Sequence, residues 1–483
     1  MDSKDEKNVG MDAAVLQADT ASADEPQVVS KEERTLLWKQ DVRIITICAG
    51  IYFLCFLDRA NIGNAKILNS STHNDMQTAT NLSDHDFAVG LMIFCLAYTL
   101  FEVPSNILLK KLRPSRWLAF LMFGWGVVSM TTAAVRNAPS IIAIRFLLGM
   151  FEAGLFPGLI YYLTFWYRHN ERSVRVAFIL ASATLAGAFG GAIAYGIGHM
   201  NGVAGLAGWR WLFILEGIPS CLAAILVFFF LPDFPETSKW LSDSEREMAK
   251  QRLLNEGSKG DAPSLTWADA KATLTDWRLY GHYLIYFCLS PAFASLGFFA
   301  PSIVAGLDFK DLTAQLMTVP PWGVAYVCQV LVAISADHFN ERGLHAAICS
   351  FVGAIGFALS GASAPTAYHA RYAGLILATA GSFSAIPPLL GWLTSNVVTT
   401  ASIGLAIAIN VSFGAGVGQM PGNWIYKGDE KTRGYPTGHW TNFAFTLLVA
   451  TGSLLLRVYY VAQNRKIASA AKEQGVKPRL YKL

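Results

Sequence analysis

The chain has 483 residues, of which 53% are hydrophobic and only 15% charged, with 41 glycines, 13 tryptophans, a net charge of +4 and a mean hydropathy of +0.37. Soluble proteins carry about 25% charged residues; here the shortfall is filled by apolar residues in long runs, which excludes a disordered chain, a collagen-like fibre and a disulfide-stapled secreted domain. Nearly all charge lies in the tails and in short loops between apolar stretches of about 20 residues, the length that crosses a bilayer, so the chain reads as an all-α, polytopic membrane protein.

Residues 1–40 are polar, acidic and rich in Ala and Ser, with no apolar core, and read as a disordered cytoplasmic tail without a cleavable signal peptide. Twelve apolar segments follow, at about 43–68, 87–109, 117–136, 139–166, 174–199, 211–231, 280–304, 312–335, 345–363, 371–394, 401–426 and 440–461. The first six fill an N-terminal bundle, 41–231, and the last six a C-terminal bundle, 280–461. Between them lies a cytoplasmic linker, 232–279, in which Ser242 to Glu247 read as the start of a short amphipathic surface helix; a basic tail, 462–483, ends the sequence. Six spans, a charged linker and six more spans match a transporter plan of two halves, although no residue-level repeat joins them.

The seven cysteines (Cys48, Cys55, Cys95, Cys221, Cys288, Cys328 and Cys349) stand singly within or beside apolar runs. An odd, unclustered set of this kind is neither a disulfide framework nor a metal site, and is expected to serve packing. Lys and Arg fix the orientation. With the N-terminus in the cytoplasm, the clusters Lys110, Lys111, Arg113, Arg116 and Arg168, Arg172, Arg175 fall inside, as do the linker and the tail from Arg457 to Lys482. Both termini are then cytoplasmic, in a multi-pass protein of the plasma membrane. Two of the three N-x-S/T sequons, at Asn69 and Asn81, fall in the first outer loop and are candidate glycosylation sites.

Ionisable residues inside the bilayer cost about 2.5–3.5 kcal/mol each and mark pathways or partners. They are Asp58 and Arg59 in span 1, Glu102 in span 2, Arg145 and Glu152 in span 4, and Glu216 in span 6, all in the first half. The second half offers Trp322, Gln329, Trp392, Asn396, Asn410 and Gln419 instead. At about 1.5 Å per residue, Asp58 and Arg59 rise about 22–24 Å from the cytoplasm, while Arg145 and Glu152 lie about 9 and 20 Å below the outer surface, so the two pairs overlap in depth. Arg145 and Glu152, seven apart, share a helix face. Two arginines and two carboxylates are thus expected to meet around a central cavity, with arginine clamping an anion and a desolvated carboxyl holding a proton. The structural alternative is a static charge network that locks helices together. Glu102 reads as a snorkelling or gate residue, and Glu216 as structural. Gly154-x-x-x-Gly158 and Gly187-x-x-x-Gly191 read as close helix contacts.

Several stretches together resemble the anion:cation symporter family of the major facilitator superfamily, and most of all its fungal allantoate, nicotinate and pantothenate permease branch. They are Asp58 to Ala65 (DRANIGNA), Tyr98 to Leu108, Pro114 to Trp117, Arg145 to Gly158 (RFLLGMFEAGLFPG), Gly205 to Ile218, Leu231 to Pro235 and Pro387 to Leu393. The resemblance implies the major facilitator fold and proton-coupled symport of an organic anion by alternating access. It further implies that Arg59 binds the substrate carboxylate, that Asp58 and Glu152 carry protons, that Arg145, placed with the substrate-binding residues, interacts with the Glu152 carboxylate and influences its protonation, and that Tyr98 lines the cavity. Trp392 and Asn410 are expected to close the cavity from the other half, and Asp337 with Arg342 to latch the inner gate. The loop Ser395 to Ser402 departs from the family in lacking Lys or Arg.

The expected function is secondary active transport of a small carboxylate, vitamin- or ureide-like, with protons as coupling ion. The implied partners are the substrate, protons and the lipid bilayer, with no cofactor, metal or nucleic acid, in a chain expected to act as a monomer. Export of an acidic metabolite on the same fold, or nutrient sensing, are the alternatives; no Walker motif or nucleophile constellation points to an enzyme.

Overall fold

The structure, a computed structural model, describes residues 30–254, 267–307, 309, 311–397, 400–474, 478 and 480–483. Among these residues ten helical segments are long and apolar enough to cross a membrane. The first half is built from α1 (Lys31–Gln40), α2 (Thr46–Ala65), α3 (Asp84–Lys111), α4 (Pro114–Thr132), α5 (Ala138–Glu152), α6 (Leu155–Leu163), α7 (His169–Gly198) and α8 (Gly208–Phe230). After the linker helix α9 (Asp243–Leu254) come α10 (Trp277–Ala305), α11 (Val319–Phe339), α12 (Arg342–Ala362), α13 (Tyr368–Ser384), α14 (Ile386–Ser395), α15 (Thr400–Val411) and α16 (Pro436–Gln474). The remaining two of the twelve expected spans are α4, at 19 residues, and the stretch in which α15 passes into a π-helical turn, Ser412–Gly416, and short 3-10 turns.

Helix starts follow local chemistry. Ser83 and Asp86 form a reciprocal capping box at α3, Asn137 accepts from the Ser140 amide at α5, where Pro139 fills the first turn, and Asp276 caps α10. Within the first half α4 packs on α8, α3 on α5 and α2 on α7; within the second, α12 packs on α13 and α16, and α11 on α13. These are the two bundles of a major facilitator fold. They meet where α2 crosses α10, α7 crosses α11, and α3 touches the π-helical turn.

At the end away from the linker the two halves close backbone against backbone. A Cβ on Gly63 would lie 2.3 Å from the Phe298 carbonyl oxygen, and one on Gly191 would lie 2.6 Å from that of Gln315. The Gln315 amide also donates to the Asn64 carbonyl at 3.1 Å. Gly187 packs on the Trp322 ring, so the Gly187/Gly191 pair does permit close approach, here across the two halves.

At the linker end, part of the expected disordered tail is ordered. Residues 1–29 lie outside the described residues, but Lys31–Gln40 is helical, capped by Ser30, with Glu32 and Glu33 in its first turn. Its charges find fixed partners: Glu33 pairs with Arg168 at 3.0 Å and with Arg252 at 2.6 Å, and Arg252 also reaches Glu171. Lys39 joins Glu245, and Trp240 stacks on Trp166. The tail helix and linker helix therefore ride on the first half.

Candidate functional site

A cavity lies between the halves. The first half lines it with Tyr52 and Arg59 from α2, Tyr98 from α3, Phe156 from α6, and Leu180, Ala183 and Thr184 from α7. The second half contributes Tyr286, Leu289, Ser290 and Phe293 from α10, Gln329 from α11, Phe383, Ile386, Val411 and Gln419. Arg59 is the charged residue of this lining.

The site's acid is set by a helix break. α5 ends at Glu152, Ala153 leaves the helix, and Gly154 adopts a left-handed conformation (φ +77°) before α6 begins. Glycine is required there twice over, because an added Cβ would be strained and would lie 2.5 Å from the Ser105 hydroxyl. The expected Gly154–Gly158 pair does pack closely on α3, against Ser105 and Leu109, and its first member is in addition the hinge at which the helix breaks. The break leaves the Glu152 carboxylate at the end of α5, where Oε2 accepts from Arg59 Nε at 2.7 Å. Its Oε1 has no hydrogen-bond partner. The Arg59 guanidinium also lies over the Phe94 and Tyr98 rings, at 5.0 and 5.2 Å. Arg145 is buried beside them: one nitrogen donates to the Arg59 carbonyl at 3.4 Å, while Nη2 is without a partner. Three of the four expected charges thus adjoin.

The fourth does not. Asp58 turns away from the cavity, accepting from Ser129 of α4 at 2.7 Å and Ser220 of α8 at 2.5 Å. Consecutive helix residues diverge by about 100°, so Arg59 on the cavity wall places its neighbour among the helices behind it. Glu216, also behind, accepts from Asn61 at 2.5 Å, as a packing acid. Glu102 is fully buried one turn below Tyr98 and accepts from Ser412 of the other half at 2.8 Å, a contact between halves and not a snorkelling chain.

The residues expected to close the cavity from the second half behave differently. Trp392 lies outside the lining: its ring packs on His282 and Tyr460, and its Nε1 donates to the Lys482 carbonyl at 2.9 Å. There the segment 481–483 folds under the second half, with Asn396 holding both the amide and carbonyl of Lys482. Asn410 is buried with Oδ1 unpartnered and is likewise not a lining residue, although Val411 beside it is. Asp337 and Arg342 form an ion pair at 2.8 Å, but Arg342 then binds Gly391 and Ser395 of its own half, so this pair ties α11, α12 and α14 together without spanning the halves. Glu341 binds Arg457 in the same way. Of the two sequons, Asn81 is exposed, whereas Asn69 is buried with its amide donated to the Gly198 carbonyl at 3.1 Å, which removes it as a presented acceptor. The lining residues that sequence alone did not single out, among them Tyr52, Tyr286, Phe293 and Phe383, belong to the same apolar runs as lipid-facing ones; the signal available was Thr184, a polar residue in an apolar run, which donates to Gln329 across the halves.

Comparison with known proteins agrees with this architecture. The profile of the Major Facilitator Superfamily matches residues 48–423. The chain is 59% identical over 461 residues to the MFS transporter prlL of a fungal species (strain NRRL 50135), covering 95% of this chain and 92% of that protein. It is 35% identical over 358 residues to a candidate tartrate transporter of Agrobacterium vitis, covering 74% and 80% of the two chains. Among solved structures, a bacterial homologue of the human lysosomal transporter Spinster, crystallised inward-facing and unoccupied, superposes with a TM-score of 0.62 at 15% identity, over 86% of this chain and 96% of that one. With a profile match over most of its length and a relative of this identity over nearly all of it, the chain belongs to the Major Facilitator Superfamily of multi-pass membrane transporters.

Proposed function

We propose that this transporter carries a small organic anion together with protons, by alternating exposure of the central cavity as its two halves, 41–231 and 280–461, rock about the α2–α10 and α7–α11 contacts. The observation that carries the proposal is the Arg59–Glu152 pair on the cavity wall, with Arg145 behind it. Two guanidinium groups face one carboxylate there, and the excess positive charge in a membrane interior asks for an anion. The relative named for tartrate supports an organic acid as that anion.

The geometry supplies a coupling step. A substrate carboxylate entering from the cavity competes with Glu152 for Arg59, since arginine can present two parallel donors to a carboxylate. Glu152, released from its hydrogen-bonded partner Arg59, is a buried carboxylate with only the nearby charge of Arg145, and taking up a proton removes the cost of keeping it ionised away from water. Loss of the proton restores the ion pair and expels the anion. Anion and proton thus bind together and leave together. Glu152 is the proton carrier in this scheme, and Asp58, held by two serine hydroxyls away from the cavity, is a positioning residue for α2. The Lys and Arg distribution supports cytoplasmic termini.

The test is uptake into proteoliposomes under an imposed inward proton gradient, with nicotinate, pantothenate, allantoate, a sugar acid and a dicarboxylate as cargo. Protein-free vesicles correct for passive entry of the weak acids. Arg59→Ala should abolish accumulation of the anion that the unaltered protein transports, while Glu152→Gln should reduce proton-driven uptake at least tenfold and spare counterflow exchange. Gradient-driven accumulation that persists in both variants overturns the scheme.

A further inference from the structure

At the linker end of the second half, residues 481–483 lie in a groove that reads extended backbone. Asn464 of α16 accepts from the Tyr481 amide at 2.7 Å and donates to the Tyr481 carbonyl at 2.8 Å. Asn396, just past α14, accepts from the Lys482 amide at 2.9 Å and donates to the Lys482 carbonyl at 3.0 Å, which Trp392 also reaches. The Arg342 amide, at the start of α12, donates to the Leu483 oxygen at 2.6 Å. Two side-chain amides that each pair with both backbone groups of one residue act as a neighbouring strand would. The side chains alternate accordingly: Tyr481 stacks on Tyr460 at 5.0 Å beside the Arg278 guanidinium, Lys482 is exposed, and Leu483 packs on the core.

The groove matters through α14. The tenth span breaks at Ala385, and Pro387 and Pro388 follow in the first turn of α14, so two of the backbone bonds that would join α13 to α14 cannot form. From the lining residue Ile386, α14 runs to the linker end and touches α7 of the first half. One end of α14 is thus a bend, and the other end carries Trp392 and Asn396, which hold residue 482.

We propose that residues 481–483 are a latch on the linker-end gate. Seated, they extend the tie between Arg342 and α14 to α16 and keep α14 where it meets α7. Once they leave the groove, α14 bends about Ala385 and the cavity opens at the linker end. This rests on the reading that the cavity is exposed alternately, and it holds for any cargo.

Hydrogen exchange of the full chain in lipid nanodiscs, read on peptic fragments, tests it. Residues 481–483 should be protected in the unaltered protein. Tyr481→Ala/Lys482→Pro removes the stacked ring and the amide given to Asn396, while Asn464→Ala empties one side of the groove. Each should speed exchange about tenfold or more in 481–483, in α14 and, across the halves, in the linker-end part of α7. The tail substitutions lie outside every helix, so they decide the matter even if Asn464→Ala does not fold. Faster exchange confined to 481–483, or to 481–483 and α14, makes the segment a local brace and overturns the latch. Exchange of 481–483 as free as that of a short peptide in the unaltered protein, or protection that persists in both variants, overturns the groove. Failure of alternate exposure looks different: Gly63→Leu, which forces the other end apart, would leave exchange in α7 unchanged, whereas rocking slows it.

Discussion

Glu102 and Ser412 come from opposite halves and share a hydrogen bond of 2.8 Å beneath the cavity, in a place where the acid is fully buried and its other oxygen has no partner. Ser412 begins the π-helical turn that interrupts the eleventh span, so the turn aims this hydroxyl at the acid. Ser412→Ala should leave a buried carboxylate without any partner, at a cost of about 1–3 kcal/mol. Glu102→Gln keeps an acceptor for the serine and removes the charge, so it should cost less. Thermal denaturation of the two purified variants reads the order directly; equal midpoints would show that the bond does not hold the halves together.

Asp58 offers a sharper contrast with the sequence-based expectation. Because Ser129 and Ser220 can both hydrogen-bond an amide, Asp58→Asn should fold and should keep the dependence of uptake on external pH, at a modestly lower rate. Replacing both serines by alanine should be worse than Asp58→Asn, since it strands the carboxylate in an apolar surround. A flat pH profile in Asp58→Asn would restore Asp58 as a proton carrier. Uptake measured across a series of external pH values separates these outcomes.

Trp392 is buried against Gly343, where an added Cβ would lie 2.8 Å from its ring. Trp392→Ala should therefore destabilise the second half by about 3–5 kcal/mol, as large aromatic deletions in cores do. The KM for cargo should be unchanged in whatever fraction remains folded. A raised KM with an unaltered melting temperature would place Trp392 in the site.

The tail helix has a pH-sensitive contact. The hydrogen bond from Lys39, reinforced by the Ser242 amide, holds the Glu245 carboxyl below the ordinary carboxylate range. A lowered folded pKa means that the contact's contribution is complete above the ordinary glutamate value of about 4.3 and is lost as pH falls through the lower folded value. Limited proteolysis of the tail should be faster in Glu245→Gln than in the unaltered protein at pH 7, and the two rates should draw together as pH falls below the ordinary glutamate range. A gap that does not narrow as pH falls would mean that the residue acts through something other than its charge.

The spans were legible because hydropathy averages over about 20 residues and tolerates error at each one. Arg59, Arg145 and Glu152 were legible as a group for a similar reason: depth follows from counting 1.5 Å steps along two helices. What counting cannot supply is azimuth. Whether Asp58 or Arg59 faces the cavity depends on which neighbours carry Ser129 and Ser220, and those contacts join residues 71 and 162 positions apart. Phe293 and Trp392 illustrate the other blind spot. Both are aromatics in apolar runs, and only packing makes one a cavity wall and the other a floor for the chain's last residues. The Gly154 hinge was hidden in a small-residue pattern that describes helix contacts equally well.

At Gly63 the closed end away from the linker leaves no room even for a methyl group. The α2 backbone there presses on the Phe298 carbonyl with no room for a side chain. Any larger residue acts as a wedge: it leaves the separated arrangement untouched and penalises the joined one, so that a change in sequence becomes a change in population. In the rocking scheme proposed above, the position is a steric rheostat about one helical turn from Arg59, setting how often the cavity is offered to one side of the membrane.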